Sequence, residues 1–299
     1  MLSTMVNKSY SHLEDQYIEI IKDIYTNGEL IHSRNGDTLS INGASMWFSL
    51  KNGTLPVITT KKVAVKTCIK ELLWFISGKT DNNILNKQNV HIWDDNGTKE
   101  FIEKRGLNYR ENDLGPVYGH QWRHFNAEYI SCDNDYTDKG IDQLKYVIDS
   151  LKHPINKFSR RLIISAWNPC QIDEMVLPPC HVLMQFLVNN KNELSCILYQ
   201  RSGDIGLGVP FNILSYSVLT HIIAKHCGLI PHEFIYNIGN AHIYEDHIEN
   251  LKLQSQRKPF NFPTINIKNK YDSIDEYKLE DIDIIDYKYH PSIKLNMHA

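Results

Sequence analysis

The stretch PFNILSYSVLTHIIAKHCG, residues 210–228, is a long and largely apolar helical run, with Pro210 suited to its start and Gly228 to its stop. A helix that is hydrophobic on nearly every face has to be enclosed by other elements. The enclosing material precedes it. RLIISAW, HVLMQFLV and LSCILYQ are strand-like runs, and NNKNE between the last two suits a hairpin. A buried helix with strands of this kind points to an α+β fold in a single domain.

Elsewhere the chain is less committed. Leu13, Tyr17, Ile20, Ile21 and Ile24 recur at helical spacing and Gly28 follows as a stop. HSRNGD is turn-rich, and TLSINGASMWFSL reads as β structure interrupted by Gly43. AVKTCIKELLWFISG reads as a helix with Ile69, Leu72, Leu73 and Ile76 on one face, closed by Gly78, and a further helix is expected around Leu144, Ile148 and Leu151. The turn formers of residues 94–120 carry no composition shift that would mark a linker. The acidic segment from 272 onward is interleaved with isoleucine and tyrosine, as in folded edge structure.

Composition excludes several classes. With 299 residues, 42% of them hydrophobic, the chain buries a full core, and a net charge of −3 supplies no global field for a nucleic-acid backbone or an anionic membrane. Any anion has to be gripped locally, by arginines. The first residues lack an apolar targeting stretch and no later run is long enough to cross a bilayer, so a soluble intracellular chain is expected. Six scattered cysteines without a CxxC pair point to reduced thiols and to no structural zinc site.

Cys180, in VLPPCHVLMQF, follows two prolines that stiffen the backbone. Two readings stand: a buried structural thiol, or a nucleophile whose thiolate is stabilised by nearby cations. Arg201 ends one strand-like run, and Arg160 and Arg161 open another. Neighbouring side chains on a regular strand point to opposite faces, so the pair reaches one phosphate only from an irregular lead-in. Glu71 has Cys68, Trp74 and Phe75 as helical neighbours, an apolar setting that raises a carboxyl pKa; the alternative is a surface glutamate beside Lys70. Asp204, Asn212, His242 and Tyr244 flank apolar runs, which fits pocket lining and also ordinary buried hydrogen bonding.

Taken in order, LPVITTKK, KELLWFISG, IWDDNGT, DLGPVYGHQWRHF, RRLIISAWNP, LPPCH, LYQRSGDIGLGVPFN, GNAHIYEDHIE and HPSIKLNM resemble the folate-dependent thymidylate synthase family, from about residue 30 onward, which implies an N-terminal extension and first helix over 1–29 and a catalytic domain over 30–299 built on a mixed β-sheet flanked by helices. The resemblance implies reductive methylation of deoxyuridine monophosphate (dUMP) by 5,10-methylenetetrahydrofolate, giving thymidine monophosphate and dihydrofolate, without metal, flavin or nicotinamide. It makes Cys180 the thiolate that adds to C6 of the pyrimidine, a case of covalent catalysis. It implies that Arg201 binds phosphate and polarises Cys180, that Ser202 adds a hydroxyl contact, and that Arg34 closes over the site. Arg160 and Arg161 resemble the pair that reaches the partner subunit's phosphate, which implies a cytoplasmic homodimer joined through the sheet. His242 and Tyr244 resemble the groups that hold the deoxyribose, and Asn212 the amide that reads the pyrimidine edge. Glu71 would organise protons, Tyr118 would assist removal of the C5 proton, and His181 and Gln200 would support the network. Trp93, Asn96, Asp204, Leu207, Gly208, Phe211 and Ala299 resemble folate-pocket residues, with Asp204 also among the catalytic groups.

The chain departs from the family pattern at three places. The loop SRNGDTLS is one residue shorter, Asn240 replaces an aspartate before AHIY, and NMHA replaces a small branched ending. A deoxycytidylate hydroxymethylase on the same scaffold is the nearest rival, and Asn212 argues against it, since cytosine's edge suits an acidic side chain better. A cysteine hydrolase using Cys180 and His181 is disfavoured because adjacent strand side chains diverge. A non-catalytic RNA-binding protein has no support in the charge.

Overall fold

The computed structural model describes residues 10–33 and 35–298, so Arg34 and Ala299 lie outside the described residues. The buried helix is there: α5, Gly208–Cys227, has Pro210 in its first turn and ends at Gly228 in the left-handed conformation (φ 70°) that glycine adopts without strain. Ahead of it come α1 (Asp15–Asn27), α2 (Val65–Ile76), α3 (Tyr118–His124) and α4 (Gln143–Lys152), and α6 (Ile248–Gln254) follows. The stop after α1 has a different origin from the usual one. Gly28 is extended, and glycine is needed because a Cβ there would strike the Ile24 carbonyl that its own N–H bonds.

Six strands form the main sheet: β1 (Glu29–Ser33), β2 (Gly36–Ser49), β3 (Ile163–Ser165), β4 (His181–Val188), β5 (Glu193–Asp204) and β6 (Ile230–Tyr244). Their spatial order is β1-β2-β6-β5-β4-β3, and every pairing is antiparallel except β5 with β6. Helix α5 is the crossover that a parallel pair requires. Most of its side chains are buried, and each Leu or Ile so enclosed contributes about 1.5–3 kcal/mol. A separate two-stranded sheet, β7 (Thr264–Ile267) with β8 (Ile282–Ile285), holds part of the acidic segment, so that segment is folded but does not edge the main sheet.

Three further expectations are refined. β2 runs through Gly43 (φ 79°) without ending, RLIISAW yields only the three residues of β3, and β6 is a strand the hydropathy reading passed over. The register separates the sheet's two faces. Met46, Tyr236, Leu198, Met184 and Ile164 line up across five strands and are all buried. On the opposite face the row Trp47, Ile235, Ile197, Gln185 and Ile163 is only partly covered.

Candidate active site

Along the inner face of the parallel pair the side chains change character. Cys196 and Leu198 of β5 belong to the core, whereas Gln200, Ser202 and Asp204, continuing the same alternation, are polar. On β6, Phe234, Tyr236 and Ile238 give way in the same manner to Asn240, His242 and Tyr244. Ser202 pairs with Asn240 and Asp204 with His242. The carboxyl ends of parallel strands leave a crevice where the crossover helix begins, and here that helix contributes Leu207, Gly208, Phe211 and Asn212.

Cys180 stands at this end, immediately before β4. Its Sγ lies 3.8 Å from Arg201 Nη2, and the guanidinium is fixed by donating to the carbonyl oxygens of Pro178 and Pro179, both at 2.9 Å. The two prolines thus position the arginine as well as the cysteine. Burial pushes the Cys180 thiol up, and the Arg201 charge opposes that shift without cancelling it. The Cys180 backbone N–H donates to Tyr118 Oη at 2.7 Å. Burial, and then the neighbouring thiol, drives the Tyr118 hydroxyl well above its ordinary pKa, so Tyr118 is neutral.

A β-bulge decides where His181 points. The pairing register shifts between His181 and Leu183, so Val182 is the extra residue and His181 faces inward opposite Gln200. In regular alternation it would share the outer face with Leu183. Inside, its ring stacks on Tyr118 (centroids 4.3 Å apart, planes at 20°), and burial, reinforced by Arg201, lowers its pKa to about 3. A neutral ring accepts at one nitrogen and donates at the other. Asn212 Nδ2 lies 3.1 Å from Nε2 and Tyr216 Oη lies 3.0 Å from Nδ1, so the proton resides on Nδ1. Tyr236 Oη, 3.5 Å from Asn212 Oδ1, donates to Gln200 Oε1 at 2.6 Å, and Gln200 Nε2 donates to the Ser202 carbonyl at 2.7 Å. The Asn212 amide is therefore oriented from its nitrogen end by His181, with Tyr236 Oη a neighbour of its oxygen.

Across the crevice, Glu71 on α2 accepts from the indole N–H of Trp93 at 2.8 Å. Burial raises its pKa to about 7 from an ordinary 4.5, with the indole bond partly offsetting the rise. Asp204 Oδ1 accepts the backbone N–H groups of Gly206 and Leu207 at 2.7 and 3.2 Å, fixing the turn into α5. Beneath that turn Lys61 is buried, donates to the Gly206 carbonyl, and has its pKa lowered by desolvation to about 8. One thiol with a fixed cation, a carboxyl poised near neutrality, a neutral tyrosine and an oriented amide together suit covalent addition to a polar, planar ring.

A family model described as thymidylate synthase matches residues 15–299. The thymidylate synthase of Saccharomyces cerevisiae is 50% identical over 295 residues, covering 95% of this chain and 96% of the yeast protein. The chain belongs to the thymidylate synthase family. The thymidylate synthase 1/2 of Encephalitozoon cuniculi is 46% identical over 291 residues, covering 96% of this chain and 98% of the relative. The bifunctional dihydrofolate reductase-thymidylate synthase of Leishmania amazonensis is 49% identical over 290 residues, 96% of this chain but 55% of that protein.

Against that family pattern, Cys180, Glu71, Tyr118, His181, Arg201, Gln200, Ser202, Asp204 and Asn212 gather around one crevice, with His242 and Tyr244 on its β6 wall. His242 Nδ1 lies 3.1 Å from Asn240 Oδ1, and burial lowers its pKa while Asp204 opposes the shift. Asn96 is buried with Nδ2 unpartnered among the described residues, and Phe211 is partly buried at the head of α5. Arg160 and Arg161 do not join this group. They occupy a turn before β3, both exposed, with neither guanidinium paired among the described residues. The turn is the irregular lead-in expected from the strand argument. Ile163 pairs with Gln185, so the register carries Arg161 seven residues up β4 from Cys180, roughly 20 Å away.

Tyr216, Tyr236 and Lys61 were not singled out by sequence reasoning. Tyr216 stands four residues after Asn212 on the same helix face, a spacing that could have flagged it. Tyr236 reads as one more apolar position in a strand, and only the structure turns its hydroxyl to Gln200.

Proposed function

We propose that this chain converts dUMP to thymidine monophosphate, with methylenetetrahydrofolate supplying both the one-carbon unit and the hydride that reduces it to a methyl group. The observation that carries the reading is Cys180 Sγ beside the fixed Arg201 guanidinium, with the Asn212 amide held by the next residue, His181. Because burial favours the protonated thiol, proton loss from Cys180 is coupled to addition of sulfur at C6 of the pyrimidine. Electron density then moves toward C5, which bonds to the folate carbon. The C5 proton leaves with help from Tyr118, the bond between the one-carbon unit and the folate nitrogen breaks, a hydride from the tetrahydrofolate ring adds to that carbon as sulfur is eliminated from C6, and the products are thymidylate and dihydrofolate.

The remaining roles follow from position. Asn212 offers Oδ1 to N3–H of uracil and a hydrogen of Nδ2 to O4, while His181, Gln200, Tyr216 and Tyr236 hold that amide still. Glu71, with a pKa near 7, takes and returns protons at neutral pH. Arg201, Ser202 and Arg34 bind the phosphate, and His242 and Tyr244 bind the deoxyribose. Trp93, Asn96, Asp204, Leu207, Gly208, Phe211 and Ala299 receive the folate. The catalytic unit is residues 30–299, with α1 packed against it.

The active form is a homodimer. Arg160 and Arg161 lie too far along β4 to serve their own Cys180, and the partly covered outer face, with Trp47, Ile197 and Ile235 in one row, is the apolar surface a second copy buries. A cytoplasmic location goes with this reading; among the described residues no helix is long and apolar enough to cross a membrane.

The test is dihydrofolate formation, followed by absorbance, with dUMP or deoxycytidylate and methylenetetrahydrofolate in both. Signal with dUMP alone, abolished in Cys180→Ala, is the expected outcome. Folded protein giving no dihydrofolate but a hydroxymethylated cytidylate would replace this reading with the hydroxymethylase.

A further inference from the structure

The extended segment 286–298 is anchored beside Tyr244 by side chains that the proposed chemistry leaves unused. His298 Nε2 lies 2.9 Å from Asp246 Oδ1, and Asn296 Nδ2 donates to the other carboxylate oxygen at 3.0 Å. His247 is fully buried; its Nε2 lies 2.8 Å from the Asn296 carbonyl oxygen and 3.8 Å from Asp246 Oδ1. One ligating atom from each of Asp246, His247 and His298 falls within 4.8 Å of the other two. The His298 ring stacks on Tyr244, with centroids 4.0 Å apart and planes at 18°.

These separations match the edges of a coordination polyhedron. With metal–ligand bonds of about 2.0–2.2 Å, neighbouring ligand atoms stand about 3.3 Å apart in a tetrahedral site and about 2.9 Å apart in an octahedral one. The 2.9 and 3.8 Å edges bracket those values, and the Asn296 carbonyl stands ready as a fourth donor. Two imidazoles and one carboxylate form a donor set suited to zinc and its neighbours rather than to magnesium or calcium, which prefer all-oxygen sites. Ligation through His247 Nε2 requires its proton on Nδ1. That nitrogen is buried and has no partner among the described residues, so the cation has to offset the lost bond to Asn296 and an N–H left without an acceptor.

We infer that Asp246, His247 and His298 form a zinc-class divalent cation site that fastens segment 286–298 to the turn after β6. The ligands are separated by up to 52 residues in sequence, so no spacing motif announces them. The cation bridges two elements and touches none of the groups assigned to the reaction. Its occupancy holds His298 on Tyr244 and so restrains the segment at the rim of the crevice. The binding itself does not depend on the proposed reaction.

The test uses the full chain, stripped of metal and titrated with Zn2+ and, separately, with Co2+ as a coloured probe. Expected is one saturable cation per chain, a Co2+ spectrum without thiolate charge-transfer absorption, and slower amide hydrogen exchange in 286–298 when zinc is bound. His298→Ala and Asp246→Asn should each weaken binding at least about tenfold and remove the exchange protection, while Cys180→Ala leaves both intact. No saturable binding, binding indifferent to His298→Ala, or a thiolate band that disappears in a cysteine variant would each overturn the site. Loss of turnover with dUMP would bear on the proposed reaction and not on these readouts.

Discussion

The floor of the crevice and its rim are built by opposite means. On the floor, Cys180 just before β4 and His181, Gln200, Asn212, Tyr216 and Tyr236 on β4, β5, α5 and β6 are each tied to another group by a hydrogen bond within the chain. At the rim that the proposed dimer completes, Arg160 and Arg161, distant from their own Cys180, project from a turn with no partner among the described residues, and the proposed phosphate grip also draws on Arg34, which lies outside the described residues. In the proposed reaction, a floor ordered by folding selects the ring and aligns it with sulfur without further cost at the moment of reaction. In the same proposal, the unpaired arginines of the rim are completed by the nucleotide and by the second chain. Preorganisation is thus concentrated where bonds are made, and adaptability where a charged ligand enters.

The largest test of this division removes one element from each side. Cys180→Ala and Arg160→Ala chains should each be inactive alone, with turnover down by at least about 10⁴-fold for the cysteine variant. After subunit exchange, an equal mixture should regain about a quarter of wild-type activity, since half the dimers are hybrids with one intact site of two. No recovery, with exchange confirmed by mass, would return Arg160 to the surface and leave the rim without a partner's contribution.

Glu71→Gln sharpens the floor's role, with kcat expected to fall about 10²–10⁴-fold. It also carries a stability signature. The folded pKa of about 7 lies above the ordinary 4.5, so the folded state retains a proton that the unfolded chain releases. The Glu71 contribution is fully present below pH 4.5 and is lost as pH rises to about 7. Thermal melts should show Glu71→Gln gaining on the wild type across that window and holding a constant difference above it. Parallel curves at all pH values would mean that Glu71 is not held protonated.

Tyr236→Phe takes away one hydroxyl from the floor. Gln200 Oε1 loses its donor and Asn212 Oδ1 a neighbour, for which about a tenfold drop in kcat/KM for dUMP is expected, with discrimination against deoxycytidylate reduced as well. An unchanged discrimination ratio would show that His181 alone orients the amide. Asn240→Asp has the smallest effect. A carboxylate in place of the amide oxygen 3.1 Å from His242 Nδ1 should raise the His242 pKa, read directly by NMR titration, with little change in kcat.

Much of this site was legible in the linear chain. Cys180 between its prolines and a histidine, Arg201 at a strand end, and Glu71 among apolar helical neighbours stand out by spacing and residue chemistry, which left a structural thiol and a surface glutamate open until the family resemblance assigned their roles. The buried helix 210–228 and the strands before it announce the α+β core, because a run apolar on nearly every face has to be enclosed. What remained hidden depends on register. Strand β6, the inward turn of His181 at the Val182 bulge, and the distance between Arg160–Arg161 and Cys180 are set by which residue pairs with which across the sheet. A one-residue shift in pairing reverses a side chain's face, and sequence periodicity carries the alternation but not its phase against a neighbouring strand. The chain by itself therefore determined which chemical groups are present and which segments are core. The tertiary structure decided which groups meet, because pairing register and the crossover of α5 bring residues distant in sequence to one end of one face.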